Sequence, residues 1–185
     1  VSPVPFADEA FVQKIKEQVV VPTMQGLQQD GIPYVGFVFI GLIKVGENPK
    51  VIEYNVRMGD PETQVVLPRI QNDLFELLQA TASGTLDSVK LSIDKRSVST
   101  IVAVSGGYPE SYEKGKAIRG IDPSDFVVHA GTAMVDEELV TSGGRVLSAT
   151  GVGDDHNQAI AQSYQALAKI DFEGIYYRKD IGFDL

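Results

Sequence analysis

Apolar side chains recur four apart at the start of the chain. Phe11, Ile15 and Val19 share one face, and this spacing predicts a helical segment over residues 8–29. Asp8 is placed to cap its first turn. Pro22 lacks an amide donor and crowds the turn before it, so a kink or a fresh first turn is expected there. Gly31 and Pro33 close the segment. The pattern then changes period. Residues 34–44 (YVGFVFIGLIK) are dense in aromatic and β-branched side chains, and residues 50–57 (KVIEYNVR) alternate; two strands are predicted, joined by a turn through Gly46, Asn48 and Pro49. After Gly59-Asp60-Pro61 the helical spacing returns in Leu67, Ile70, Leu74, Leu77 and Leu78, up to about residue 82.

From residue 86 the chain reads as short strands and turns. Strands are expected over 89–93 and 98–104, near 125–129, and over 132–141 and 144–150. A last helix is expected over about 154–169, with Ile160, Tyr164, Leu167 and Ala168 as its buried face. The pattern therefore divides into an α+β piece, residues 1–86, and a small β-rich piece closed by a helix, residues 87–185. No internal repeat or low-complexity tract interrupts either piece.

Composition narrows the chemistry. Of 185 residues, 43% are hydrophobic, enough for a sizeable core. The formal net charge is −9 with 16 basic residues, which argues against nucleic acid or an anionic membrane surface as partner. The absence of cysteine excludes disulfides, thiolate metal sites and cysteine nucleophiles. His129 and His156 are too few for most metal or triad sites, and His129 between Val128 and Ala130 reads as a strand residue. No apolar run approaches the ~20 residues of a membrane helix, so a cytoplasmic protein is expected. The first residue is Val1, in a loop-like Ser2-Pro3-Val4-Pro5, and the chain is expected to be a piece of something longer.

The chemically informative stretch is Glu53-Tyr54-Asn55-Val56-Arg57, followed by Met58-Gly59-Asp60-Pro61-Glu62-Thr63-Gln64. Alternate residues of a strand share a face. Glu53, Asn55 and Arg57 are thus expected on one side, with Ile52, Tyr54 and Val56 packed on the other. A carboxylate and an amide oxygen are two hard donors of the kind magnesium takes, with phosphate and water completing its shell. A guanidinium one step further can fork onto a phosphate. The same alternation also fits a half-buried strand with a solvated polar face, and the residues by themselves leave both readings open. Asp60 and Pro61 suit the cap and first position of the next helix, whose amino terminus would offer amides to an anion. Gly106-Gly107 and Gly143-Gly144 complete no phosphate-binding motif and read as turns. Asp136-Glu137-Glu138 reads as a solvated turn, and Arg178 can pair with Asp180 or reach across a domain interface.

EYNVRMGDPETQ (residues 53–64) resembles the signature of the glycinamide ribonucleotide synthetases, the phosphoribosylamine–glycine ligases of the ATP-grasp superfamily. The resemblance runs on through Val65-Val66-Leu67-Pro68-Arg69. It continues in SGGYPESYEKGKAIRG (105–120), VVHAGT (127–132), TSGGRVLSATG (141–151) and YYRKDIG (176–182), and so covers essentially the whole chain. It implies the C-terminal half of an ATP-grasp domain followed by a small β-rich domain closed by a helix. It also implies a ligase of purine biosynthesis that joins glycine to 5-phosphoribosylamine with ATP, through glycyl phosphate. By this likeness Glu53 and Asn55 are the magnesium (or manganese) ligands and Arg57 holds the transferring phosphoryl group. Asp60, Pro61 and Thr63 fall at the floor of the substrate pocket. Glu110 departs from the glycine more usual at that point. Phe37, Val38, Phe39 and Ile40 leave the preceding strand without the further carboxylate that many ATP-grasp relatives carry there. The nucleotide-gripping strands and the amino-terminal domain are absent, so the fragment alone is expected to be inactive. A non-catalytic binding or scaffolding module, or another ATP-grasp carboxylate–amine ligase, are the alternatives. The run Gly59-Asp60-Pro61-Glu62-Thr63 directly after the polar strand distinguishes the chain from ATP-grasp carboxylases.

Overall fold

The computed structural model describes residues 1–185, which form two compact units. One comprises Val4–Thr63 and Ile70–Ile93, the other Val1–Pro3, Gln64–Arg69 and Asp94–Leu185.

The first unit opens with one continuous helical segment: α1 (Glu9–Ile15), a single wide π turn (Lys16–Val20) and α2 (Val21–Gln29). Asp8 caps it as expected, its carboxylate accepting from the Phe11 amide at 2.8 Å. Pro22 produces no break between helices. The chain makes room for the ring by widening the turn before it, and the Val21 amide donates to the Lys16 carbonyl five residues back. Phe11 and Val19 are the buried positions of this segment.

Strands β1 (Phe39–Val45) and β2 (Asn48–Asn55) pair antiparallel as a two-stranded ribbon. Their turn consists of Gly46 and Glu47 alone, so Asn48 and Pro49 lie inside β2 and not in the turn. Residues 34–38 stay outside the ladder. The long helix expected up to residue 82 is also interrupted. Residues 60–62 form a turn, α3 is a single turn (Thr63–Val66), and the chain tightens to a 3₁₀ turn at Leu67–Arg69, where Pro68 can donate nothing to a helix. Helix α4 (Leu74–Ser83) starts afresh. Asp73 accepts from the Phe75 and Glu76 amides at 2.8 and 3.2 Å, and Gly84 ends the helix at φ 69°. Residues 89–93 form no strand. A lone bridge joins Ile93 to Ile70, and the Asn72 side chain holds the segment, accepting from the Ser92 amide at 2.6 Å and donating to the Lys90 carbonyl at 3.0 Å.

The second unit is built on β3 (Ser97–Val104), β4 (Phe126–His129) and β7 (Arg145–Gly153), with β7 central and antiparallel to both neighbours. A separate hairpin, β5 (Thr132–Val135) with β6 (Glu138–Thr141), turns through Asp136 and Glu137 at φ 47° and 66°. Both turn residues are therefore left-handed, as a two-residue hairpin of matching twist requires. The expected single strand over 132–141 is thus two; Asp136 and Glu137 of the acidic run form the solvated turn, and Glu138 begins β6.

Helix α5 (His156–Leu167) lies against β7 and β3. Its buried residues are Ala159, Ile160, Ser163, Ala166 and Leu167, whereas Ala168 is exposed and Tyr164 only half-buried. Small residues face inward because the helix backbone comes very close to the sheet. A Cβ at Gly151 would overlap the Ala159 carbonyl, and one at Gly153 would lie 2.6 Å from the Ala159 amide. The fully buried Ser163 hydroxyl meets Ser99 Oγ at 2.5 Å and reaches the Ser99 and Ala159 carbonyls at 3.1 and 3.2 Å. This satisfies polar groups that would be costly to bury alone. Ile101, Val146, Leu147, Leu167, Ile170 and Phe172 belong to the unit's buried apolar cluster. At the edge, Ser2 bridges Val98 in both directions at 2.8 Å, and Arg69 reaches the Asp94 carbonyl and Ser2 Oγ at 3.1 and 2.9 Å. Arg96, hydrogen-bonded to the Asp94 carboxylate, holds that carboxyl down at about 2.

Leu147→Ala removes a side chain with no exposed surface. It is expected to cost about 2–5 kcal/mol of stability, while Phe75→Ala on the open face of α4 should change it by less than about 0.5 kcal/mol. Urea denaturation followed by far-UV circular dichroism measures both.

Candidate functional site

The register of β1 and β2 determines which side chains can cooperate. From the turn, Val45 pairs with Asn48 and the ladder runs evenly to Leu42 opposite Val51. There it slips: Gly41 faces Glu53, Ile40 faces Tyr54 and Phe39 faces Asn55, leaving Ile52 as the extra residue of a β-bulge. Beyond the bulge, Glu53 and Asn55 share one face with Gly41 and Phe39, and Tyr54 points to the other.

The two polar residues meet. The Asn55 side-chain amide donates to Glu53 Oε1 at 2.9 Å. That bond uses the nitrogen of the amide and one carboxylate oxygen. Asn55 Oδ1 and Glu53 Oε2 accept no hydrogen bond, and both belong to accessible side chains. An amide oxygen and a carboxylate oxygen offered side by side are a donor set for a hard divalent cation that takes its other ligands from phosphate and water. No group of three or more His, Asp or Glu residues is arranged to hold a metal ion, so a cage made wholly of protein ligands is not what this pair resembles.

Arg57 is not on the strand. β2 ends at Asn55, and Arg57 lies in the bend that follows, its guanidinium exposed and donating to the Met58 carbonyl at 3.1 Å. The expected column of three is therefore a pair on the strand plus an arginine on the segment beyond. Ile52, Tyr54 and Val56, expected to be packed, are 66%, 49% and 73% exposed. The helical segment covers that side only in part, through Thr23 Oγ1 against the Tyr54 hydroxyl at 2.9 Å.

Asp60 and Pro61 sit in the turn before α3 and not at its cap or first position. The helix begins at Thr63, whose amide donates to the Gly59 carbonyl at 3.0 Å and whose hydroxyl reaches the same oxygen at 2.5 Å. A four-residue helix has one turn of amides and too little length for a useful dipole. The anion site expected at its amino terminus is not built. The Gly59 turn is tight in another way: a Cβ there would lie within 3 Å of the Glu62 carboxylate.

Three residues of this neighbourhood were not singled out from the sequence. The Tyr34 hydroxyl lies 2.6 Å from the Phe37 carbonyl and 3.1 Å from the Val56 carbonyl and shares its proton between them. It thereby ties the approach to β1 to the exit of β2, next to Arg57. Gly36, at φ 144°, carries the chain around that hydroxyl. Gly41 stands opposite Glu53. Tyr34 also lines an open apolar hollow with Val20, Met24, Leu27, Ile32 and Pro33. Of the residues outside this unit, His129 Nδ1 meets Thr132 Oγ1 at 3.1 Å on an exposed strand end. Arg178 pairs with Asp180 through two bonds of 2.9 and 3.0 Å, which lowers the Asp180 carboxyl and raises the guanidinium.

Known proteins resemble the chain along nearly its whole length. Residues 1–63 match the family model "Phosphoribosylglycinamide synthetase, ATP-grasp (A) domain", so the unit carrying Glu53 and Asn55 is part of an ATP-grasp fold. Residues 98–184 match "Phosphoribosylglycinamide synthetase, C domain". The chain belongs to the phosphoribosylglycinamide synthetase family. The phosphoribosylamine–glycine ligase of Caldanaerobacter subterraneus is 42% identical over 183 residues, which cover 98% of this chain and 44% of that protein. The human trifunctional purine biosynthetic protein adenosine-3 is 40% identical over 186 residues, 98% of this chain and 18% of that protein. The crystal structure of phosphoribosylamine–glycine ligase from Thermotoga maritima matches with a TM-score of 0.85 at 32% identity, covering 97% of this chain and 44% of that one. The chain thus spans less than half the length of these relatives.

Tyr34→Phe is expected to cost about 0.5–1 kcal/mol, the net worth of a partly exposed hydrogen bond. It should also speed amide exchange across residues 55–59 more than elsewhere, read by hydrogen–deuterium exchange.

Proposed function

We propose that this chain is part of an ATP-dependent phosphoribosylamine–glycine ligase, contributing the cation-holding strand and part of the substrate floor. On this reading residues 1–86 belong to the catalytic ATP-grasp domain and residues 87–185 to the C domain, and the enzyme works in the cytoplasm in purine biosynthesis. The observation that carries the proposal is the Glu53–Asn55 pair, with two oxygens uncommitted, followed directly by Arg57 and the Gly59-Asp60-Pro61-Glu62-Thr63 turn, in a chain whose family is that of these ligases.

In the proposed reaction a glycine carboxylate oxygen attacks the γ-phosphorus of ATP, and ADP leaves with the bonding pair. The amine of 5-phosphoribosylamine then attacks the acyl carbon of glycyl phosphate. The C–O bond to phosphate breaks and the amide forms, with the amine proton lost to water. Glu53 and Asn55 would hold magnesium or manganese through Oε2 and Oδ1. The cation, when bound, neutralises charge on the phosphate oxygens. Arg57, anchored only to the carbonyl of its neighbour Met58, is free to turn its guanidinium onto the transferring phosphoryl group, where a planar fork is the right shape. Asp60, Pro61 and Thr63 would border the substrates. Because Thr63 spends its hydroxyl proton on the Gly59 carbonyl, its contribution is to fix the turn and to accept.

The remainder of such an enzyme would supply the nucleotide-gripping half. The large apolar side chains left open in this unit, Val20, Val21, Met24, Ile52 and Val56 among them, give it a surface to pack on.

The isolated 185-residue chain is therefore expected to form no ADP in the presence of glycine, 5-phosphoribosylamine and ATP. Glycine- and amine-dependent ADP release from it would overturn that expectation. In the full-length polypeptide, Asn55→Leu is expected to lower turnover about tenfold or more, as losing a partner of a bound metal does, and most severely at limiting magnesium. An unchanged rate there would leave the polar pair a purely structural feature.

A further inference from the structure

We infer that Gly41, which has no functional group, is a positioning residue for the Glu53 carboxylate and so sets cation affinity at the Glu53–Asn55 pair. The inference rests on the cation-holding role proposed above.

Gly41 lies directly across from Glu53 in the β1–β2 ladder. Directly opposed residues project from the same face with their Cβ atoms about 4.5–5.5 Å apart. Here the Glu53 side chain occupies the space where its partner's Cβ would stand: a Cβ built on Gly41 lies 3.0 Å from Glu53 Cγ. The side chain therefore lies across bare backbone, and from there its Oε1 meets the Asn55 amide at 2.9 Å.

Glycine is not needed at this position for a left-handed backbone. Gly41 is not among the residues with positive φ, and a glycine within a strand costs conformational entropy and packs nothing. What the position requires is the absence of a side chain. Any substituent would push Glu53 Cγ outward by a few tenths of an ångström at its second carbon, and the lever to the carboxylate enlarges that shift. A small cation such as magnesium holds its oxygens within a narrow range near 2.0–2.1 Å. Ligands displaced by about 0.5 Å fall outside productive geometry.

Gly46, in the turn of the same ribbon, is the natural contrast. It has φ 56° and nothing within 4 Å of its missing Cβ. There glycine serves the backbone, and space is no constraint. The two positions should respond oppositely to the same substitution.

The test titrates Mn²⁺ against the 185-residue chain and its Gly41→Ala, Gly41→Val, Gly46→Ala and Glu53→Gln variants, reading free Mn²⁺ by electron paramagnetic resonance and competing with Mg²⁺. Melting temperature and the NMR signal of the Asn55 side-chain amide are recorded alongside. Gly41→Ala should weaken Mn²⁺ binding about tenfold, Gly41→Val more, with the Asn55 amide signal displaced and a melting temperature no lower than the parent's. Gly46→Ala should melt earlier yet bind Mn²⁺ as the parent does. The inference is overturned if Gly41→Ala binds Mn²⁺ like the parent while Glu53→Gln does not, an outcome that leaves the cation-holding role standing. It is equally overturned if Gly41→Ala melts as early as Gly46→Ala, since the glycine would then serve the fold. Mn²⁺ uptake by the parent that is indifferent to Glu53→Gln, or absent both alone and with inorganic phosphate added, removes the cation-holding role itself and the inference with it.

Discussion

The bulge at Ile52 is the constraint on which the polar side of the first unit depends. A two-residue turn sets the ladder, and an even ladder would carry Ile40 to the position opposite Glu53. One extra residue shifts the far half of β2 by a single step. Because strand side chains alternate, that step decides which residues of β1 share a face with Glu53 and Asn55. With the bulge, the carboxylate has glycine across from it, and room. Without it, a branched side chain would stand there. Tyr34 then holds the exit of β2 against the entry of β1, so the segment carrying Arg57 leaves the strand from a fixed point although its own side chain is loosely held.

The second unit is stabilised by closeness. β7 contributes Gly151 and Gly153 where α5 crosses, and the helix answers with Ala159 and Ser163. Backbones this near leave no space for large side chains between them, so dispersion contact along the whole crossing and a buried pair of serine hydroxyls replace the usual interlocking of leucines. The larger residues Leu147, Leu167 and Phe172 join the buried cluster of the same unit. Packing of this kind tolerates little change in volume.

Much of this was legible in the chain. Periodicity places the helical start, the β1–β2 ribbon, β3, β7 and α5, since each has either a strong apolar repeat or a run of β-branched residues. The twelve-residue run from Glu53 identifies the family, and the adjacency of Glu53 and Asn55 on one face follows from the period of a strand. What failed did so where local and long-range forces compete. The helical spacing from Leu67 to Leu78 conceals Pro68 and the capping Asp73, which split it in two. The segment 89–93 looks strand-like but has no ladder to join, and one asparagine fastens it instead. Pro22 announces a disturbance without saying that a wide turn resolves it. A bulge leaves no signature in an alternating run, so neither the partnership of Gly41 with Glu53 nor the departure of Arg57 from the strand could be counted out in advance.

The ribbon of β1 and β2 has a consequence beyond catalysis. Two strands alone are marginal in water, and both outer edges of this pair offer unpaired amides and carbonyls. One face also bears Ile52 and Tyr54, both well exposed. Such an edge is a template for any extended strand that reaches it. Pro49, which cannot donate, guards only one point of it. The strand carrying the polar pair therefore also belongs to a ribbon with open edges. In a polypeptide containing this chain, a further strand pairing along that edge would cover it and hold the polar pair's ribbon at the same time.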